Sequence, residues 1–169
     1  EPAAPSGPVN VNEVLRDVLM LETESFLSAG VTVDWTPAHV LPSVQGNPTE
    51  LRTLFRQLIS NAVEAMNVRG WTERSLKLST QAISGHVQVV VTDSGPGIPE
   101  ALRLKVFEPF FSTKPTRSAG RGVGLSLAQE IVSRHRGMLE IDPEYHDGCR
   151  LVVSFPLLSR NKAVAVEAG

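Results

Sequence analysis

The chain has little cysteine: among its 169 residues only Cys149 carries a thiol, so no internal disulfide can form and a reducing, cytoplasmic setting is expected. It has no surplus of positive charge either. Sixteen Lys and Arg against eighteen Asp and Glu leave a formal net charge of −2, which excludes the basic footprint of a nucleic-acid binder. No run approaches the roughly 18 apolar residues of a membrane span, so no membrane contact is expected. The first residues lack the basic-then-apolar pattern of a signal peptide. The four histidines, His39, His86, His135 and His146, are scattered, and none stands at metal-ligand spacing from Cys149. There is no internal repeat. What is present is an ordinary hydrophobic content of 41%, in a length that suits one domain around one core.

Composition divides the chain in three. Residues 1–8, EPAAPSGP, read as a linker. Residues 9–158 carry the patterned part, and residues 159–169 read as a flexible tail. Within the middle part, apolar residues from Val11 to Ala29 follow a helical period that ends at Gly30. VTVDW at 31–35 reads as a strand. Asn47 then caps a long helix, with Pro48 at its first position and Glu50 at its third. Leu51, Leu54, Phe55, Leu58, Ile59, Ala62, Ala65 and Met66 form its apolar stripe. Two strands, 76–83 and 87–92, are joined by a turn at Ser84-Gly85. A short helix is expected over 99–106, a mobile loop over 112–122, a third long helix over 125–135, and closing strands in MLEI and CRLVVSF. Three helices on one face of a mixed, mostly antiparallel sheet make an α/β two-layer sandwich.

Four stretches carry chemistry. Asn61 lies at the edge of the long helix's apolar stripe, where a carboxamide needs a partner, from the backbone or from a bound ion or phosphate. Asp93 ends an apolar strand and opens D-S-G-P-G. Such an Asp either starts a tight turn or presents a carboxylate that accepts a hydrogen bond from an exocyclic amine, with Gly95 and Gly97 letting backbone approach a flat ligand. VFEPFFSTK places Phe107, Phe110 and Phe111 before a polar loop bearing Lys114, Arg117 and Arg121. The aromatics suit either the core or the foot of a closing loop, and the cations suit either phosphate or solvent. Gly120, Gly122 and Gly124 run into a helix start, a ready anion site. They do not follow the first strand of a βαβ unit and lack the Gly-Lys-Ser/Thr ending, so neither a dinucleotide fold nor a Walker A loop fits.

In this order, an asparagine-bearing helix, D-x-G-x-G, F-x-P-F and G-x-G-x-G-L, the stretches resemble the GHKL nucleotide-binding domain of sensor histidine kinases, gyrase B, Hsp90 and MutL over about residues 10–157. The resemblance implies the Bergerat fold and an ATP or ADP ligand with Mg²⁺. It implies that Asn61 holds the metal, that Asp93 binds the adenine amine and that Gly95 and Gly97 shape its pocket. Phe107 and Phe110 would anchor a lid, and Lys114, Gly120, Gly122, Gly124 and Leu125 would serve the phosphate side. ATP-hydrolysing members carry Glu one turn before the asparagine. Here Gln57 stands there, a poor general base, which argues against a gyrase-like or Hsp90-like ATPase.

DSGPGIP, VFEPFFSTK and GVGLSLAQEIVSRHRG look like the NtrB-like group of sensor kinases. VTVDWTPAHVLPSVQG, GRGVGL and GCRLVVSFP, with Cys149 where kinases mostly have Ser or Thr, are similar to the nucleotide-sensing domain of NifL-type regulators of nitrogen fixation. That resemblance implies a domain whose nucleotide state, read through a lid over 108–122, controls a NifA-like activator. The alternative is the catalytic domain of an active histidine kinase that serves a response regulator. No histidine here has a phosphoacceptor context. His135, in SRHRG, reads as a charge partner at a helix end. The chain is expected to be a monomer, and the full-length protein a dimer.

Overall fold

The computed structural model describes residues 6–108 and 125–158. Its elements run β1 (Gly7–Val9), α1 (Val11–Leu21), α2 (Thr23–Ala29), β2 (Thr32–Thr36), β3 (Val44–Gly46), α3 (Pro48–Met66), β4 (Ser75–Ile83), β5 (His86–Asp93), two 3₁₀ turns (Glu100–Leu102 and Lys105–Phe107), α4 (Ser126–Arg134), β6 (Met138–Ile141) and β7 (Cys149–Pro156). Five strands form one sheet in the order β2-β4-β5-β7-β6. Only the β2–β4 pair is parallel; the other three are antiparallel. Alternation along the strands buries Leu76, Leu78, Val87, Val89, Val91, Leu151, Val153 and Phe155 on the face that meets the helices. The expected α/β two-layer sandwich is therefore the observed architecture.

α3 is the central helix. Asn47 Oδ1 accepts the Glu50 N–H at 2.9 Å, Pro48 takes the first turn, and the stripe Leu51, Leu54, Phe55, Leu58, Ile59 and Met66 is fully buried. The β4–β5 hairpin turns at Ser84 and Gly85, both with positive φ. Among the described residues no helix is long and apolar enough to cross a membrane.

The structure departs from the sequence pattern in four places. The helix expected over 11–29 breaks at Glu22, whose N–H still bonds back to Val18 while its carboxylate meets Arg56 at 3.1 Å. The break lets Phe26 and Ala29 turn onto the core and leaves Leu21 exposed. The helix expected over 99–106 is instead the pair of 3₁₀ turns, interrupted at Arg103 and Leu104. Gly7 and Pro8, linker-like by composition, belong to β1, which pairs with β3 in a separate two-stranded sheet. His135, read as a charge partner at a helix end, is buried rather than at the surface, with Glu50 Oε1 4.0 Å from its Nδ1. Its side chain is 6% exposed, its Nδ1 lies 2.8 Å from the Ile131 carbonyl, and its Nε2 lies 3.1 Å from the Asn47 nitrogen. A neutral ring that donates from Nδ1 and accepts at Nε2 satisfies both contacts.

Candidate functional site

One pocket gathers the residues singled out in the first half of the motif set. It opens between α3 and the ends of β5 and β7, and its lining includes Asn61, Ala65, Asp93, Gly97, Leu125 and Cys149. α3 supplies Leu58, Asn61, Ala62 and Ala65 from one face, because positions three and four apart share a helix side. β5 supplies Val91 and Asp93, and β7 supplies Cys149 and Leu151, because alternate residues of a strand share a sheet side. The walls are thus mostly apolar, with one carboxylate and one carboxamide among them, the composition of a small-molecule site.

Asp93 is 6% exposed. Its Oδ1 accepts the Gly95 N–H at 2.8 Å, the turn that D-S-G announces. Burial pushes the Asp93 carboxyl up to about 6, and the backbone N–H groups of Gly95 and Cys149 oppose that rise. The carboxylate is ionised at neutral pH but poorly solvated, so an amine donor in the pocket would replace water it has lost. Asp93 stands opposite Cys149 in the β5–β7 register. Burial, and then the charge of Asp93, push the Cys149 thiol up to about 12. It remains protonated and acts as a small apolar wall.

The glycines of the turn have local reasons. A side chain on Gly95 would press on the Ala65 carbonyl and the Met66 side chain, both 3.3 Å from where its Cβ would stand. Gly97 has φ +86°, and a Cβ there would lie 3.0 Å from the Gly148 carbonyl oxygen. Gly148 itself was not singled out by the sequence. It has φ +146°, and a Cβ there would collide with the Asp93 carbonyl. Cys149 stood out in the sequence for its rarity and its resemblance, not for any place beside Asp93. Both lie more than fifty residues from Asp93, and only the strand pairing brings them to it.

Asn61 is buried at the pocket edge and its Oδ1 accepts from Gln57 Nε2 at 3.2 Å. Gln57 therefore orients the carboxamide. Among the described residues no cluster of three His, Cys, Asp or Glu side chains is placed to hold a metal. A hard cation here would take the Asn61 oxygen and complete its shell from phosphates and water, the usual habit of Mg²⁺.

Phe107 packs half-buried against the core beside the fully buried Val106, and Leu125 lines the pocket at the start of α4. The Leu125 N–H donates to the Val106 carbonyl at 2.6 Å, so the two chain ends that flank residues 109–124 are joined. Phe110, Phe111, Lys114, Arg117, Gly120, Arg121, Gly122 and Gly124, and nearly all of the lid, lie outside the described residues.

Comparison with known proteins bears on the family and the fold. Residues 46–159 match the family described as histidine kinase-, DNA gyrase B- and HSP90-like ATPase. Sensor histidine kinase ZraS of Klebsiella oxytoca is 29% identical over 154 residues, 91% of this chain and 32% of that protein. Sensory histidine kinase/phosphatase NtrB of Rhizobium leguminosarum bv. phaseoli is 33% identical over 150 residues, 81% of this chain and 38% of that protein. The chain thus spans about a third of the length of these curated relatives. The nucleotide-free catalytic domain of histidine kinase ThkA superposes with a TM-score of 0.78 at 27% identity, covering 92% of this chain and 99% of that one. ThkA has also been solved in complex with the response regulator protein TrrA.

Proposed function

The chain belongs to the histidine kinase-, DNA gyrase B- and HSP90-like ATPase family and has the architecture of the ATP-binding domain of sensor histidine kinases, and from that premise we propose that it binds ADP or ATP between α3 and β5. The observation that carries the reading is Asp93: a buried carboxylate, ionised at neutral pH, in the wall of an apolar pocket. It accepts the adenine amine. Gly95 and Gly97 keep the turn thin enough for the ring to lie flat, and Cys149 and Leu151 form the apolar wall on the β7 side. Asn61, oriented by Gln57, holds Mg²⁺ against the phosphates. The ion neutralises phosphate charge when bound. Phe107, Phe110, Lys114, Gly120, Gly122, Gly124 and Leu125 serve the phosphate side. The domain works in the cytoplasm.

Two uses of the nucleotide remain distinct proposals. In the first, the domain is a NifL-type sensor whose ADP or ATP state controls a NifA-like activator. The likeness of VTVDWTPAHVLPSVQG, GRGVGL and GCRLVVSFP, with Cys149, to NifL-type chains supports it. In the second, the domain passes the γ-phosphate to a histidine elsewhere in a longer protein that answers to a response regulator. The named relatives, all sensor histidine kinases, support that one.

Calorimetric titration with Mg·ADP and Mg·ATP, with Asp93→Asn as control, tests the shared reading. Loss of both titrations in the variant is expected, and undiminished binding would move the site elsewhere. Radiolabelled ATP added to a chain that includes an acceptor histidine separates the two uses. Acid-labile label on protein removes the sensor-only reading.

A further inference from the structure

Trp71 belongs to none of the motifs, yet it is bonded to the turn that carries Asp93. Its indole Nε1–H points at two carbonyls, Glu73 at 2.7 Å and Ser94 at 3.0 Å. Ser94 is gripped from the same segment by its other groups. Its hydroxyl donates to the Glu73 carbonyl at 2.7 Å and accepts the Ser75 N–H at 2.8 Å, and its own N–H donates to the Ser75 carbonyl at 3.1 Å. Ser94 is the residue between Asp93 and Gly95, whose carboxylate and N–H are bonded to each other. The segment that supplies these partners is itself anchored. Arg74 donates to the carbonyls of Ala29, Val68 and Trp71 and to Asn67 Oδ1.

We propose that Trp71 and Ser94 form a clamp in which Trp71 is a positioning residue for nucleotide binding: it touches no nucleotide and sets the pose of Asp93 by fixing the Ser94 peptide. The proposal rests on the adenine reading of the pocket. It differs from plain structural support in one consequence. The Gly95 N–H is one of the groups that favour the ionised form of Asp93. A loosened turn weakens that bond, so the carboxylate holds its proton to higher pH and binding loses its acid limb earlier. Among the described residues, the other ionisable groups around Asp93 and Cys149 are Arg103 between the 3₁₀ turns, Glu73 before β4, Lys77 in β4, and Tyr145, His146 and Asp147 before β7. Replacing the indole by a phenyl ring alters none of them.

Mg·ADP titrations at pH 5.5 to 8 on the wild-type chain, Trp71→Phe, Ser94→Ala and Asp93→Asn decide the matter, with thermal melts alongside. Trp71→Phe and Ser94→Ala are expected to bind about fivefold to tenfold more weakly at pH 7, the loss of one well-made hydrogen bond's ordering. Their acid limbs should lie at higher pH than that of the wild type. Wild-type binding that both variants match overturns the clamp and leaves the nucleotide reading intact. So does weaker binding with an unmoved acid limb, which marks a structural role alone. Absence of wild-type binding, or binding indifferent to Asp93→Asn, overturns the nucleotide reading and the clamp with it. If Trp71→Phe does not fold, Ser94→Ala decides by the same criteria.

Discussion

His135 Nε2 accepts the backbone N–H of Asn47, joining the residue that caps the end of α4 to the one that caps the start of α3, 88 positions earlier. The same ring donates to Ile131 from Nδ1 and meets the Phe155 ring edge-on at 6.1 Å between centroids. It thereby ties the α4 end, the α3 start and β7 together behind the pocket.

His135→Leu fills similar space but removes the ring's bonds to the Asn47 N–H and to the Ile131 carbonyl, which keeps the backbone N–H of residue 135. It should lower unfolding free energy by about 1–2 kcal/mol, the scale of the hydrogen bonds lost. Urea titration of the two chains measures it. An unchanged midpoint would mean that these contacts contribute nothing.

Asp93 makes stability and binding respond to pH in opposite senses. Its carboxyl titrates at about 6 in the folded chain against 3.8 as the ordinary value, so the folded state holds the proton more tightly. The stability it contributes is full below pH 3.8, declines as pH rises through 6, and is absent above. At pH 7.5 the ligand-free Asp93→Asn chain should therefore be more stable than wild type, by up to about 3 kcal/mol at 1.36 kcal/mol per pH unit. The gain should vanish toward pH 4, as denaturant melts at both pH values would show. Nucleotide binding should instead weaken as pH falls through 6, because the acceptor is the ionised form.

Gly148→Ala should be among the most damaging single-atom additions to the chain. The new methyl collides with the Asp93 carbonyl, and neither backbone can yield without opening the β5–β7 pairing. A loss on the order of 3 kcal/mol or more is expected, read as a lowered melting temperature together with lost ADP binding. Gly85→Ala, where nothing lies within 4 Å, controls for the loss of glycine at positive φ.

Arg74→Lys keeps the charge but not the planar fork that reaches four acceptors. It should destabilise by about 1–3 kcal/mol through the stranded carbonyls, with a larger loss in Arg74→Ala. Thermal melts that rank the two variants in that order support the account, and equal midpoints with wild type would refute it.

What the sequence disclosed was local. The α3 cap, its apolar stripe and the Ser84-Gly85 turn are written in neighbouring residues, so periodicity and turn chemistry found them. Asn61 and Asp93 also stood out locally, as polar groups at the edges of apolar runs. The break at Glu22 did not, because helical periodicity continues across it, and Phe26 reaching the core decides the bend. β1 was hidden for a similar reason: its pairing partner, β3, is more than thirty residues away. Gly148 and Cys149 gain their meaning from Asp93 alone, and no window of consecutive residues contains both sides of that contact.

The same distance has a consequence for how the protein is made. When β5 leaves the ribosome, β4 is already available and the hairpin can close on one side. The other side faces solvent until β7 has been translated, with residues 94–148 still to come. During synthesis at about 5–20 residues per second, Val87, Val89 and Val91 sit on an unpaired strand edge for a few seconds, the kind of edge that recruits other chains. A nascent chain stalled before Cys149 thus has neither the pocket's far wall nor a protected sheet. Truncation at that point should yield aggregates rather than a weak binder.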